Sequence, residues 1–201
     1  MRISVLDRIL LLVTGLLAAY QIAFGIDGSL NLPVIAYTIA FGVLLIAGLL
    51  LIILGFDVLE APAVVIVSTL IPLSLATGLV WEYLPSFRAI YLDFALIGLV
   101  AIIVTRSFPM PGKLPTIVLA LIHGVAGMTI FLLPIIFAIL GEAEPGFAFV
   151  GIGGALIGVG GLLLAFLKSG KPILSQKFIL TVLPGLLLLM TLCFVIGFKA
   201  G

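Results

Sequence analysis

The chain has 201 residues, of which 64% are hydrophobic and only 8% are charged. Soluble domains carry about 25% charged residues, so lipid must be the solvent for most of this chain. The formal net charge of +1 argues against nucleic-acid binding through a basic face, and the single cysteine, Cys193, excludes an internal disulfide. We therefore expect an all-α integral membrane protein whose first partner is the lipid bilayer.

The chain divides into seven apolar segments. Arg2 and Arg8 precede a run with the general look of a signal peptide, but the run continues to Ile26 and reaches membrane-spanning length, which favours an uncleaved helix. Six more segments follow, separated by short breaks rich in Pro, Gly and charged residues. The predicted spans, in a single transmembrane domain over residues 1–201, are 5–26, 33–55, 61–83, 89–105, 114–140, 146–167 and 177–198.

Lys and Arg are distributed unevenly between the two ends of these spans. Arg88 and Lys199 lie at one end, and the other seven of the nine lie at the end that holds the N-terminus. The positive-inside rule therefore predicts a cytoplasmic N-terminus and a C-terminus outside, in a prokaryotic-type cytoplasmic membrane or another energy-transducing membrane. The seven are Arg2, Arg8, Arg106, Lys113, Lys168, Lys171 and Lys177.

Two segments of the chain resemble each other. Leu32-Pro-Val-Ile35, followed by Gly42-Val43, matches Leu114-Pro-Thr-Ile117, followed by Gly124-Val125, at the same spacing. A repeat of three spans, with the seventh helix extra, would make the two halves inverted relative to each other, as in many transporters. Chance is the alternative, because Leu, Ile, Gly and Val are abundant throughout.

The sixth span is unusually rich in glycine. In lipid such a segment still forms a helix, because its backbone must satisfy its own hydrogen bonds. Small residues then share one face and form a groove suited to close approach of another helix, either of this chain or of another one. The predicted helix-packing groove consists of Gly151, Gly154, Ala155, Gly158, Gly161 and Ala165.

All tyrosines and the only tryptophan lie toward the predicted outer ends of spans one to four. An anchoring belt at the membrane interface is one interpretation, since rings with a polar handle favour that region. A binding site or docking surface is the other, because three charged residues lie beside the rings. Asp93 is expected to pair with Arg88 or with the first amides of its own helix. This candidate outer-interface site comprises Tyr20, Tyr37, Trp81, Glu82, Tyr83, Arg88, Tyr91 and Asp93.

His123 is the only ionisable residue deep within a span, which makes it a candidate buried polar site. Ala120, Ala126 and Gly127 flank it at helical spacing, so we expect it to face a close-packed neighbour. An imidazole can relay protons, bond a quinone or ligate a tetrapyrrole, and a neutral ring hydrogen-bonded across a helix interface is the structural alternative. With no second histidine, bis-histidine haem and zinc held by several imidazoles are excluded, and no metal site is predicted.

Three prolines lie inside predicted spans: Pro72, Pro134 and Pro184. Each removes a helix hydrogen bond and favours a kink, which is either a static packing device or a hinge. The hydroxyls of Ser68 and Thr181 are placed to bond local carbonyls near two of these prolines.

No catalytic motif is present in the sequence, so an enzyme is not expected. The first hypothesis is a non-catalytic membrane subunit or scaffold that packs against other subunits or itself. No cofactor is predicted under this hypothesis, although the protein could hold a lipid, a quinone or a tetrapyrrole. The alternative is a small transporter or channel for an ion or small solute, with His123 linked to protons or substrate. The scarcity of polar groups at mid-membrane depth favours the first hypothesis.

Overall fold

The computed structural model describes residues 3–26, 31–110, 112–168 and 174–200. Seven of its helices are long and apolar enough to cross a membrane, which confirms the all-α, seven-helix prediction. Arg2 and Lys171 lie outside the described residues, and the predicted orientation and inverted repeat stay predictions. The helices are α1 (Val5–Tyr20), α2 (Leu32–Leu54), α3 (Pro62–Tyr83), α4 (Arg88–Ser107), α5 (Leu114–Leu140), α6 (Ala148–Lys168) and α7 (Gln176–Lys199).

The helix ends follow local capping chemistry. The Asp7 amide donates to Ser4 Oγ over 3.1 Å, and the Ser4 amide donates to Asp7 Oδ2 over 2.9 Å, which together form a capping box for α1. Asn31 and Ser175 cap α2 and α7 with their side chains. The fourth helix extends beyond its predicted ends, and a 3-10 turn at Pro85–Phe87 leads into it.

Six helices form a closed ring in the order α1, α2, α3, α5, α6, α7, with α7 returning to α1. The fourth helix packs outside this ring, against α3 and α5. We call the end of the bundle that contains the last residues of α1, α3, α5 and α7 the aromatic end, and the opposite end the basic end. Contacts of Tyr37 with Glu82 and Phe198 bring α2, α3 and α7 together at the aromatic end.

The three internal prolines all lie buried in ring helices, in α3, α5 and α7. The Ser68 hydroxyl donates to the Val65 carbonyl over 3.1 Å, and the Thr181 hydroxyl donates to the Lys177 carbonyl over 2.7 Å. The predicted local hydroxyl–carbonyl bonds are therefore confirmed. These bonds satisfy both hydroxyls within their own helices.

Candidate functional site

A cavity of about 420 Å³ opens at the aromatic end of the ring. This volume lies within the range of roughly 300–1,000 Å³ that is usual for small-molecule pockets. The cavity lies between the end of α1, the start of α2, the ends of α3 and α7, and the segment before α6. We call it the end cavity. Its polar lining residues are Gln21, Asn31, Tyr37, Glu82, Tyr83 and Lys199, and its other rings belong to Tyr20, Phe24, Phe147 and Phe198.

The wall contributed by the first span is a π-helical turn, Gln21–Gly25, which continues α1. A π turn inserts one extra residue into the helix, and such turns occur frequently at functional sites. Gln21 is only 1% exposed, and its Nε2 donates to the Gly25 carbonyl over 3.0 Å, closing the wide turn with a side-chain hydrogen bond. A Cβ at position 25 would overlap this amide, so a larger residue there would displace the Gln21 side chain.

Tyr37 and Glu82 form a polar contact between α2 and α3. The Tyr37 hydroxyl donates to Glu82 Oε2 over 2.9 Å, and the Tyr37 side chain is buried. The ring has room to lie there because residue 78 of α3 is glycine, where an added Cβ would overlap the ring. Gly78 thus places the phenol so that its hydroxyl reaches the Glu82 carboxylate.

Aromatic side chains form the floor of the end cavity. The rings of Tyr37 and Phe198 have centroids 4.7 Å apart, and those of Tyr83 and Phe147 are 4.9 Å apart. Phe41 lies edge-on to Phe198, with 6.1 Å between the centroids. Such pairs add about 0.5–1.5 kcal/mol beyond their area burial, so this floor is a stable layer of the core.

Beneath this floor the ring is tightly packed. Six side chains from α2, α3 and α7 meet there and leave no room for a water molecule between them. Buried side chains from the other ring helices join the same cluster, among them Ala18 of α1, Ile130 of α5 and Val150 of α6. The end cavity is therefore closed below its floor in the described part of the bundle, and we call it blind. These six are Ala40, Phe41, Leu44, Ile71, Leu75 and Phe194.

The end cavity carries both signs of charge. Glu82 and Lys199 both line it and are both exposed, and neither takes part in an ion pair among the residues that the structure describes. The side-chain oxygen Oδ1 of Asn31 accepts a hydrogen bond from the Val34 amide over 3.0 Å, which leaves the side-chain NH₂ group of Asn31 for other partners. The lining thus offers a carboxylate, an ammonium group and an amide donor beside aromatic rings.

The candidate outer-interface site is divided by the structure. Tyr20, Tyr37, Glu82 and Tyr83 line the end cavity, whereas Trp81, Arg88, Tyr91 and Asp93 do not. The Arg88 guanidinium lies 5.4 Å from the centre of the Trp81 ring and its Nε donates to the Trp81 carbonyl.

Tyr91 packs against Phe94, with 5.5 Å between the ring centroids, and Asp93 is exposed on α4. The predicted pairing of Asp93 with Arg88 is not formed among the described residues.

His123 lies away from the end cavity. Its ring is partly buried in α5, and Nδ1 is 3.2 Å from the Leu119 carbonyl of the same helix, a local contact rather than one across a helix interface. Ala126 is fully buried, whereas Ala120 is exposed and a Cβ at Gly127 would meet no atom within 4 Å, so only part of this face has a close-packed neighbour. Among the described residues, His123 belongs to no group of three or more His, Cys, Asp or Glu side chains that could hold a metal ion.

The glycines of α6 serve more than one neighbour. A Cβ at Gly151 or Gly154 would lie 2.6–2.9 Å from the backbone of α5, so these two positions let α5 and α6 approach closely. Gly158 and Gly161, further along the same predicted groove, meet no atom within 4 Å. Ala155 is partly buried, and the side chain of Ala165 lies outside the described residues.

Two glycines outside the predicted groove, Gly153 and Gly160, face α7, where added Cβ atoms would lie 2.6 Å from Phe194 and 2.7 Å from Leu186. The glycine-rich helix therefore has two packed faces, against α5 and α7, as well as an open one.

Sequence reasoning missed several cavity residues. Gln21 is a lone amide within an apolar segment, which was a usable signal, since buried polar groups in a span are rarely without a role. From the sequence alone, Asn31 and Lys199 look like ordinary residues at helix ends. Phe147 and Phe198 look like rings that face the core or the lipid. Only the closed ring of helices brings these residues to one cavity.

Comparison with known proteins gives no relative: no family model, no curated protein and no solved structure matches this chain.

Proposed function

We propose that this protein is a non-catalytic membrane-embedded binding subunit whose end cavity holds the zwitterionic head of a small amphiphile. The observation that carries the proposal is the blind cavity itself, whose lining holds a carboxylate and an ammonium group that form no ion pair among the described residues. A blind cavity suits retention of a ligand better than passage of a solute.

The lining supports a ligand that carries both charges. A ligand cation would meet Glu82 and the faces of the aromatic residues, since ring faces attract ammonium groups. A ligand anion would meet Lys199 and the Asn31 amide. An apolar tail would lie along the exposed rings of Tyr20 and Phe24, which line the cavity on the side of the first span. Membership of a larger membrane assembly fits the exposed glycines of α6 and the short connections between helices.

Ligand stabilisation tests this proposal. The purified chain is unfolded by heat in detergent with a short-chain phosphatidylcholine, a short-chain phosphatidylglycerol, and free glycine betaine as probes. We expect the first to raise Tm most, because ligand binding to the folded state stabilises it by mass action. Betaine alone raising Tm equally would identify a free zwitterion as the ligand. No response to any probe would contradict the proposal.

Variants make the test specific to the end cavity. Glu82→Gln removes the carboxylate, and Lys199→Gln removes the ammonium group. We expect each variant to lose about tenfold in apparent affinity, which corresponds to about 1.4 kcal/mol. Glu142→Gln is the matched control, because Glu142 is an exposed carboxylate at the same end of the bundle that does not line the cavity. Equal losses in all three variants would point to non-specific charge effects.

A small transporter is the second candidate, favoured by the position of the prolines. Pro72, Pro134 and Pro184 lie buried in three helices of the ring that surrounds the cavity, where kinks can act as hinges. In that case the blind cavity is one state of an alternating-access cycle. Uptake of radiolabelled betaine into proteoliposomes that is lost in Glu82→Gln would favour the transporter over the binding subunit.

A further inference from the structure

The fourth helix is the least buried of the seven. Only 17% of its apolar stretch is buried inside the bundle, because it packs outside the ring, mainly on α3 and α5. Its remaining surface is a continuous exposed face, which we call the α4 face. This face consists of Ile90, Asp93, Leu96, Ile97, Val100 and Val104.

A heptad pattern runs along the α4 face. Ile90, Ile97 and Val104 occupy one heptad position, and Asp93, Val100 and the exposed Ser107 occupy a second one. Spacing of three and four residues produces the seam by which helices pack side by side at a shallow angle. The face thus has the geometry of a helix-docking surface.

A carboxylate interrupts this apolar seam. Asp93 is exposed, and among the described residues it makes no hydrogen bond and no ion pair. It lies five residues inside the start of α4 at Arg88, about 7.5 Å along the axis at 1.5 Å per residue. Ile90 and Ile97, its neighbours one turn away on either side, are 68% and 69% exposed. An ionisable group in a span ordinarily faces protein and has a partner there.

The cation nearest in sequence is already engaged. Arg88 stacks over the Trp81 ring and donates to the Trp81 carbonyl, so it is directed to α3 and not to Asp93. The described part of this chain therefore offers no cation that pairs with the Asp93 carboxylate.

We propose that the α4 face docks a transmembrane helix of another protein that carries a lysine or arginine at the depth of Asp93. This deepens the assembly part of the proposed function and is independent of the end cavity. A second copy of this chain is a poorer occupant. Two copies in one membrane share their orientation, so a symmetric pair would bring Asp93 against Asp93, and like charges repel.

Guest helices of defined sequence test this proposal. Three Leu-rich peptides of about 20 residues, long enough to span the bilayer, carry Lys, Leu or Glu one turn inside one end. Each has a cysteine one further turn in. The full chain carries Ile97→Cys in a Cys193→Ser background, and both partners are reconstituted in vesicles before mild oxidation. Because Ile97 lies one turn from Asp93, a docked guest brings the two thiols together.

We expect the Lys guest to form at least about fivefold more disulfide than the Leu or Glu guest, a ratio that matches polar contacts measured between membrane helices. Asp93→Asn should reduce capture of the Lys guest to the level of the Leu guest, and Asp93→Glu should keep it. At Leu12→Cys, an exposed position on α1 across the ring, the three guests should react equally.

Two outcomes would overturn the proposal. Equal capture of all three guests at Ile97→Cys would show that the carboxylate selects no partner. Efficient disulfide formation between two copies through Ile97→Cys, without any guest, would show that a second copy covers this face. Neither outcome depends on ligand binding in the end cavity, so this proposal and the proposed ligand fail separately.

Discussion

Gly78 is the residue on which the Tyr37–Glu82 contact depends. A methyl group at position 78 would overlap the Tyr37 ring, which is buried and has little freedom to move away. We therefore expect Gly78→Ala to displace the ring, disrupt its hydrogen bond to Glu82, and lower the free energy of unfolding by about 1–3 kcal/mol, as overpacking does. Denaturant unfolding in detergent measures this change.

The matched control for Gly78→Ala is Gly42→Ala in α2. A methyl group at Gly42 meets no atom within 4 Å, so the substitution adds no clash. We expect unchanged stability, or a gain of up to about 1 kcal/mol from the better helix propensity of alanine. Equal destabilisation by the two substitutions would mean that the space occupied by Tyr37 is not the reason for glycine at position 78.

Gln21 secures the π turn with its side chain. Gln21→Met keeps the length of the side chain but removes the donor to the Gly25 carbonyl. We expect a loss of about 0.5–1.5 kcal/mol in the free energy of unfolding, the usual net value of one hydrogen bond. Gln176→Met, at an exposed position at the start of α7, is the control and should change stability little. If both variants match the unaltered chain, the side-chain bond does not stabilise the turn.

At the scale of elements, the glycines of α6 are of two kinds: some allow close packing of another helix, and others face open space. A Cβ at Gly154 would lie 2.9 Å from backbone atoms of Ile130 and Phe131, and backbone cannot rotate away as a side chain can. We expect Gly154→Ala to force α5 and α6 apart and to lower the free energy of unfolding by about 1–3 kcal/mol. Gly158→Ala, on the open part of the same helix, should be neutral or stabilising.

Thermal unfolding of the two α6 variants in the same detergent distinguishes these expectations. If Gly158→Ala is as harmful as Gly154→Ala in the isolated chain, the open part of the groove is closed by this chain's own helices. If Gly158→Ala impairs only co-purification with another protein, the open glycines belong to an interface.

The helices themselves were predictable, because lipid leaves an apolar segment little choice but helix. Their partners were not. The sequence places Gly151 and Gly158 on one face of α6, yet only the first meets α5, because helix approach depends on the tilt of both helices. Likewise, Gly153 and Gly160 look like any other glycines until α7 packs on them. The π turn at Gln21–Gly25 depends on a side chain bonding a carbonyl four residues later, and no periodic pattern signals this.

At the scale of the whole molecule, the sequence showed the rings of the end cavity but not their grouping. Tyr20, Tyr37, Glu82 and Tyr83 were all in the predicted outer-interface site. Trp81 and Glu82 are neighbours in sequence but point to different surfaces, as successive helical residues do. Lys199 joins Glu82 only because α7 lies next to α1 and closes the ring. Ring closure depends on contacts between helices that are far apart in the chain, and a single sequence does not reveal such contacts.

The blind cavity and the orientation of the chain can be tested together by thiol labelling in intact cells. Single cysteines replace Val34 in the end cavity, Ala40 beneath its floor and Lys113 at the basic end, each in a Cys193→Ser background. Val34 lines the cavity, Lys113 is exposed, and Ala40 belongs to the packed layer without room for water. A charged, membrane-impermeant thiol reagent reaches only positions that water reaches from its own side.

The positive-inside rule predicts that the basic end faces the cytoplasm. We therefore expect reagent added outside intact cells to label Val34→Cys, reagent added outside inverted membrane vesicles to label Lys113→Cys, and neither to label Ala40→Cys. Reversed sidedness at Val34 and Lys113 would contradict the predicted orientation but leave the cavity unchanged. Labelling of Ala40→Cys from either side would show that water passes the aromatic floor. That result would favour the transporter over the binding subunit. A binding subunit holds its ligand above a closed floor, whereas a transporter must let its solute pass through the floor.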